Sequence, residues 1–305
     1  MCLTATANSQ VRQDIMKVMR LDAAPERLKT FIMSPQRGNL HLEIRYTKDE
    51  DDNRLADFVR WINQVYDRRR AEPRKSELLL QGERVENVSG IIYTTSRDEC
   101  ESLSSALRNA GIGARPYHAK LSPNVKEGTL SRWVNNEQGY DIIVATTAFG
   151  MGIDKDNVRF VVHWRLPKSF EGYYQEAGRA GRDGNASYCF LYYSREDFER
   201  VDRMVRSDVA SSKDGSNDAN RQARLKSLQA LAMYCEDTKT CRHVTICRYF
   251  GESTAPACDF ACDYHKDHDD LELRYRRGLA SEEWVSTQAI QGTYDCTYDY
   301  QYDDL

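Results

Sequence analysis

No apolar run in these 305 residues approaches the roughly 20 needed to cross a bilayer, so no membrane span is expected. The first residues lack a positively charged, apolar leader pattern, and the expectation is a chain that is not secreted. Nine cysteines is an odd number, scattered until they thicken late in the chain. That excludes a secreted disulfide framework and points to a reducing compartment. No Gly-x-x-x-x-Gly-Lys-Ser/Thr stretch is present to cradle phosphates, and no Asp-Glu-x-His to hold a metal. By itself, then, the chain is not expected to hydrolyse a nucleotide.

What is present is a soluble, globular composition, 40% hydrophobic and 30% charged, long enough for two domains or one with extensions. Net charge is −4, unevenly placed: residues 251–305 hold 13 Asp/Glu against 4 Lys/Arg, and the first 250 residues hold 34 against 39. A mildly basic body with an acidic end is compatible with nucleic-acid binding, although basic residues are also an ordinary solvated face.

Small apolar residues 3–7, like the end of a buried strand, precede a helix over about Ser9–Met19. A strand is expected near Leu40–Tyr46 and an amphipathic helix over 54–66. Residues 67–88 read as a charged loop insertion. From residue 89 to 193 short apolar strands alternate with helices. Ser96 and Glu99 form a capping box. Pro123 opens a helix carrying Val125, Leu130, Trp133 and Val134, weakened by Gly128. Asp141–Ala145 is almost wholly apolar, as for a parallel strand covered on both faces. This pattern predicts a doubly wound α/β sheet with helices on both faces. Ligands on such sheets sit at the carboxyl ends of strands. A linker is expected over 207–219, a helix over 220–234, and poor order through the Tyr-rich, acidic end.

Residues 173–184 read Tyr-Tyr-Gln-Glu-Ala-Gly-Arg-Ala-Gly-Arg-Asp-Gly. Arg179 and Arg182, three apart, reach one side of a helical turn, with Gly178 and Gly181 leaving the backbone bare. Two guanidinium forks suit a polyphosphate and stay charged at ordinary pH. An exposed helix end with two solvated arginines would look the same. Gly150 and Gly152 let a loop approach phosphate or ribose closely. Asp154 offers a carboxylate to a hydroxyl or water, or caps a helix. Thr94, Thr146 and Thr147 are hydroxyl donors suited to phosphate oxygens, or turn residues. His118 at a strand end could meet a nucleic-acid backbone or cap the sheet. Cys241, Cys258, Cys262 and His265 follow the spacing Cys-x16-Cys-x3-Cys-x2-His. Thiolates and imidazole in fours signal structural zinc. His268, His243 or Cys247 could be the fourth ligand instead, and spacing favours His265.

In order, residues 3–7, 91–101, 117–119, 145–155 and 175–184 resemble motifs III to VI of the RecQ family of superfamily 2 DNA helicases. Residues 158–169, Tyr249-Phe250-Gly251-Glu252 and the cysteines agree, so the resemblance covers roughly residues 1–265. It implies the C-terminal part of an ATP-dependent 3′-to-5′ helicase core acting in DNA repair and recombination. Residues 1–30 would be a remnant of the first RecA-like motor domain. Residues 31–206 would be the second RecA-like domain, 207–265 a small helical zinc-binding subdomain, and 266–305 a disordered acidic tail.

The resemblance further implies that Arg179 and Arg182 act as arginine fingers. Gln175, Asp154 and Gly152 would be nucleotide and coupling contacts, and Thr94, His118, Thr146 and Thr147 would line the DNA path. RecQ proteins carry four cysteines at the zinc site, so His265 is a departure, and Cys3His remains an ordinary zinc set. ATP and Mg²⁺ would bind only with the first motor domain. Partners would be single-stranded or forked DNA, and the location nuclear in a eukaryote or otherwise cytoplasmic. The alternative is a non-enzymatic DNA- or partner-binding fragment of a truncated or degraded helicase gene.

Overall fold

The computed structural model describes residues 9–21, 28–48, 53–86, 88–147, 149–150, 153–210, 218–252, 258 and 262–279. Residues 3–7 and Gly152 lie outside them, and the first described helix is α1 (Ser9–Val18). Six strands build the sheet: β1 (Leu40–Tyr46), β2 (Gly90–Thr94), β3 (Ala114–Tyr117), β4 (Ile142–Thr146), β5 (Phe160–His163) and β6 (Ser187–Tyr193). They lie in the order β1-β6-β5-β2-β4-β3, with every neighbouring pair parallel.

Ile142, Ile143, Val144 and Ala145 are each fully buried. Their side chains alternate between the two sides of the sheet, as the strand period requires. On one side, Ile92, Ile142, Val144 and Phe190 pack with α2 (Arg54–Arg70) and α4 (Arg97–Asn109) through Phe58, Ile62, Leu103 and Leu107. On the other, Ile91, Ile143, Val161 and Leu191 meet α5 (Pro123–Val134), α6 (Phe170–Ala177) and α7 (Arg195–Ala210). The same core continues into α8 (Asp218–Glu236) and α9 (Arg242–Tyr249) through Leu228, Leu231, Tyr234 and Ile246. Phe170 is the junction, with Tyr249 at 4.3 Å and Tyr234 at 5.2 Å between ring centroids. Ser96 caps α4 by accepting from the Glu99 amide, as its capping box predicts.

Two expectations need correction, for stretch 67–88 and for the tail. The charged stretch 67–88 is not a bare loop. α2 runs on to Arg70, and a helix α3 spans Arg74–Leu80. Buried Leu78 and Val85 anchor it, while the Arg69 guanidinium donates to the carbonyls of Val85 and Arg84. In α5, Val125 is 50% and Val134 37% exposed, whereas Thr129 and Trp133 are buried. Leu130 packs beside the indole against the same core. The tail expected to be unstructured from residue 266 begins with helices α10 (Asp263–Lys266) and α11 (His268–Gly278). α11 covers the edge strand: Tyr275 meets Tyr46 at 5.4 Å, and Arg274 donates to the Ile44 carbonyl. Residues 280–305 lie outside the described residues. So do 211–217 of the expected linker, while 207–210 and 218–219 are helical.

Candidate nucleotide-facing loop and metal centre

Ser169 starts α6 by accepting from the Gly172 amide. The helix ends at Gly178, and the chain turns at Gly181, whose φ is +58°. A Cβ on Gly181 would lie 2.5 Å from Asn39 Nδ2 and 2.8 Å from the Asn185 carbonyl, so a side chain is excluded. The Gly181 amide donates to the Val158 carbonyl, just ahead of β5. The arginine stretch therefore lies by the amino ends of the strands, not at their carboxyl ends as the general rule for such sheets led one to expect.

Both arginines turn onto the loop after β4. Arg179 Nη1 donates to the Gly150 carbonyl at 2.5 Å, and Arg182 Nη1 to the Ile153 carbonyl at 2.9 Å. The two bonds span the same 29 residues, so two positions three apart on one segment hold two positions three apart on the other. Gly150 has φ +146°, and a Cβ there would sit 2.1 Å from Arg179 Nη2. Its positive φ calls for glycine, and a side chain there would also have to displace the guanidinium. Asp154 is 93% exposed, 3.8 Å from Arg182. Arg179 Nε is buried and has no hydrogen-bond acceptor among the described residues. Gln175 stands exposed on α6. Glu176 instead turns inward to buried His163 at 2.9 Å, and that ring stacks on Tyr93. Burial pushes the Tyr93 phenol well up, opposed by nearby Arg179. Its hydroxyl donates to the Phe149 carbonyl.

The same loop begins at the opposite edge. Thr94 and Thr146 are paired in register at the carboxyl ends of β2 and β4. Thr146 is half-buried and Thr147 exposed. Thr94 is buried, and its hydroxyl is engaged by the Ser96 carbonyl and Cys100. His118 is 6% exposed and bonded to Glu101 at 2.9 Å. Thr146 and Thr147 are therefore the more accessible of the four candidate DNA-path residues. Between the two ends, Phe149 is buried against Tyr117 and Trp133. Lys155 pins the far end by donating to the Val134 carbonyl and Asn136 Oδ1. Burial draws its ammonium down to about 8.

Residues that sequence reasoning missed are mostly those holding this loop: Tyr93, Lys155 and, above all, Arg37. The Arg37 guanidinium donates to the carbonyls of Gly178 at 3.2 Å, Ala180 at 2.9 Å and Gly181 at 2.8 Å. A lone arginine in an irregular connector gives no periodic signal of such a role.

In the C-terminal module the donor atoms of Cys241, Cys258, Cys262 and His265 all lie within 4.8 Å of one another. Cys241 and Cys262 sulfurs are 3.8 Å apart, and Cys262 Sγ is 3.6 Å from His265 Nδ1. Tetrahedral zinc with ligands at about 2.0–2.3 Å separates its donors by about 3.3–3.8 Å, so the set fits. A hydrogen bond with Cys262 draws the Cys241 thiol down to about 7, toward the thiolate a metal needs. His268 lies 3.8 Å from Glu272 instead. Cys247 is buried, its thiol pushed up to about 12 by desolvation. His243 does touch the cluster, with Nδ1 3.3 Å from Cys258 Sγ, while its Nε2 is 3.3 Å from the Arg37 carbonyl. Beside the cysteines, Arg242 and Asp263 form a buried pair at 2.8 and 3.0 Å. Asp263 also accepts from the Ile44 amide of β1.

This arrangement agrees with what known proteins share with the chain. Residues 74–184 match the helicase conserved C-terminal domain, and residues 195–266 match the RecQ zinc-binding domain. This chain belongs to the RecQ family, over its C-terminal region. The mouse "ATP-dependent DNA helicase Q5" is 38% identical over 93% of this chain and 27% of its own length. The Xenopus laevis "RecQ-like DNA helicase BLM" is 38% identical over 89% of the chain and 17% of its length. The Caenorhabditis briggsae "Putative ATP-dependent DNA helicase Q1" is 35% identical over 94% and 40%. The chain thus spans well under half the length of these relatives. Among solved structures, S. cerevisiae Dbp5 bound to RNA and ADP BeF3 aligns with TM-score 0.47 and 15% identity, over 89% of this chain and 54% of that one. The RecQ module's cysteine cluster is a structural zinc site, here with three cysteines and one histidine. Bound there, zinc would tie Cys241 at the start of α9 to Cys262 and His265 at α10.

Proposed function

We propose that the chain forms the second motor domain and zinc module of an ATP-dependent 3′-to-5′ DNA helicase acting in DNA repair. In this reading Arg179 and Arg182 serve as arginine fingers toward ATP and Mg²⁺ held by a first motor domain. The observation that carries it is the pairing of both arginines with one loop. Among the described residues the buried Arg179 Nε meets no acceptor, and a γ-phosphate oxygen would supply one. Asp154, exposed beside Arg182, and Gln175 complete the nucleotide contacts, with Gly152 in the same loop.

Thr146 and Thr147 open that loop at the other edge and suit a DNA backbone. Thr94 and His118 shape the path from behind. A phosphate arriving at the arginines competes with the Gly150 and Ile153 carbonyls, releasing a loop whose other end touches DNA. That is a physical route from hydrolysis to strand movement. Phe31 and Met33 of the connector are each 89% exposed, an apolar surface suited to a docked first domain. The eukaryotic relatives favour a nuclear location.

Two measurements test this. Single-stranded DNA binding by the chain, followed by fluorescence anisotropy, should weaken steadily as salt rises. Absence of binding at low salt would count against the DNA path. The purified chain should turn over no ATP, and turnover abolished by Arg179→Ala would overturn the division of labour.

A further inference from the structure

The zinc module touches the arginine loop through two residues that neither the metal nor the nucleotide requires. We propose that His243 and Arg37 form a relay by which the zinc centre positions the segment carrying Arg179. The Arg37 carbonyl can only accept, so the contact with His243 Nε2 puts the ring proton on that nitrogen. His243 Nδ1 then faces the Cys258 sulfur at 3.3 Å. His243 lies two residues after Cys241, in the first turn of α9, so ligation of Cys241 would fix the backbone that carries the ring, while Nδ1, an acceptor in this tautomer, only packs beside the Cys258 sulfur.

Arg37 carries the position onward. Its backbone carbonyl meets the module, and its guanidinium clamps Gly178, Ala180 and Gly181. Those carbonyls bracket Arg179. Asn39, which Arg37 also contacts, adds bonds to the carbonyls of Gly181 and Asn185. Charge-assisted donors at the carboxyl end of α6 favour this geometry twice, by hydrogen bonding and through the helix dipole. No regular structure holds residues 28–39, so the connector depends on such contacts for its place. Arg37 and His243 are positioning residues: neither touches a reacting atom. The consequence for hydrolysis rests on the function proposed above, whereas the coupling stands on the contacts alone.

Hydrogen exchange on the full zinc-loaded chain tests it without nucleotide or DNA. His243→Phe keeps the ring and removes both contacts. With one zinc per chain retained, exchange across 178–184 should rise about tenfold while β6 stays unchanged. Unchanged exchange in that zinc-loaded variant overturns the relay. Arg37→Met lies off the metal module and covers the case in which His243→Phe loses zinc. Its loop should exchange fast already, and EDTA should add little, whereas EDTA should accelerate the wild-type loop. If EDTA accelerates the Arg37→Met loop as much as the wild-type one, the zinc centre reaches the loop by another route and the proposal fails. Loss of ATP or DNA binding leaves these outcomes untouched.

Discussion

Replacing Asp263 by alanine should be among the most damaging single changes in the chain. The carboxylate is almost fully buried and accepts four hydrogen bonds: two from Arg242, one from the Ile44 amide and one from its neighbour Tyr264. Arg242 is equally buried, so truncation leaves a guanidinium without its counter-charge and an edge-strand amide without its acceptor. Breaking a buried pair by removing one partner costs about 3–5 kcal/mol, a large part of the roughly 5–15 kcal/mol that holds an ordinary domain. Urea denaturation of zinc-loaded protein reads the difference. Arg242→Met in the same background removes the stranded charge and should recover most of the loss, leaving the Ile44 amide at about 1 kcal/mol or more. A loss below about 1 kcal/mol for Asp263→Ala, or no recovery in the double variant, would refute the claim that this pair clamps the zinc module to β1.

Other outcomes follow from the same contacts. Gly150→Ala should displace the Arg179 guanidinium and speed exchange of the flanking loop; if Arg179 is the arginine finger proposed above, the same change in a two-domain enzyme should lower kcat by about 10³-fold or more. EDTA should deprotect α10 and the first turn of α9, around Cys241, while the Tyr249 and Phe250 packing on Phe170 and the β2–β5 core stay protected, seen by hydrogen exchange. Asp141 gives a pH signature. Burial raises its folded pKa to about 6 from an ordinary 3.8, so the folded state holds the proton more tightly. The stability this contributes is complete below the unfolded value and is lost as pH rises through about 6. Asp141→Asn should therefore remove a fall in stability between pH 4 and 6, measured by urea titration against wild type. An identical pH profile in both proteins would refute it.

Much of this fold was legible because its strands are short, apolar and regularly interrupted. Asp141–Ala145 announced a strand covered on both sides, and Ser96 with Glu99 marked a helix start to the residue. The cysteine spacing also selected the four donors that the fold brings together. What stayed hidden depends on contacts distant in sequence. Stretch 67–88 looked like a loop because its charge concealed Leu78, and because Arg69 satisfies carbonyls that no pattern reveals. α11 was masked by acidic composition, although its Arg274 and Tyr275 are what cover β1. The engagement of Thr94 and His118 by Cys100 and Glu101 is likewise a matter of which groups happen to be adjacent in space. Arg37 is the sharpest case, since its importance lies wholly in partners some 140 residues away.

Phe170 bears on how the chain can be divided. The two family matches meet near residue 195, which invites cutting the protein there into separately produced halves. The ring of Phe170 argues against it: it belongs to the sheet domain, yet its neighbours Tyr234, Tyr249 and Phe250 all come from the far side of that cut. A piece ending near residue 206 would present Phe170 and Tyr174 to water as a sticky face prone to self-association. The two matched regions therefore share one packed core, and a cut between them would split it.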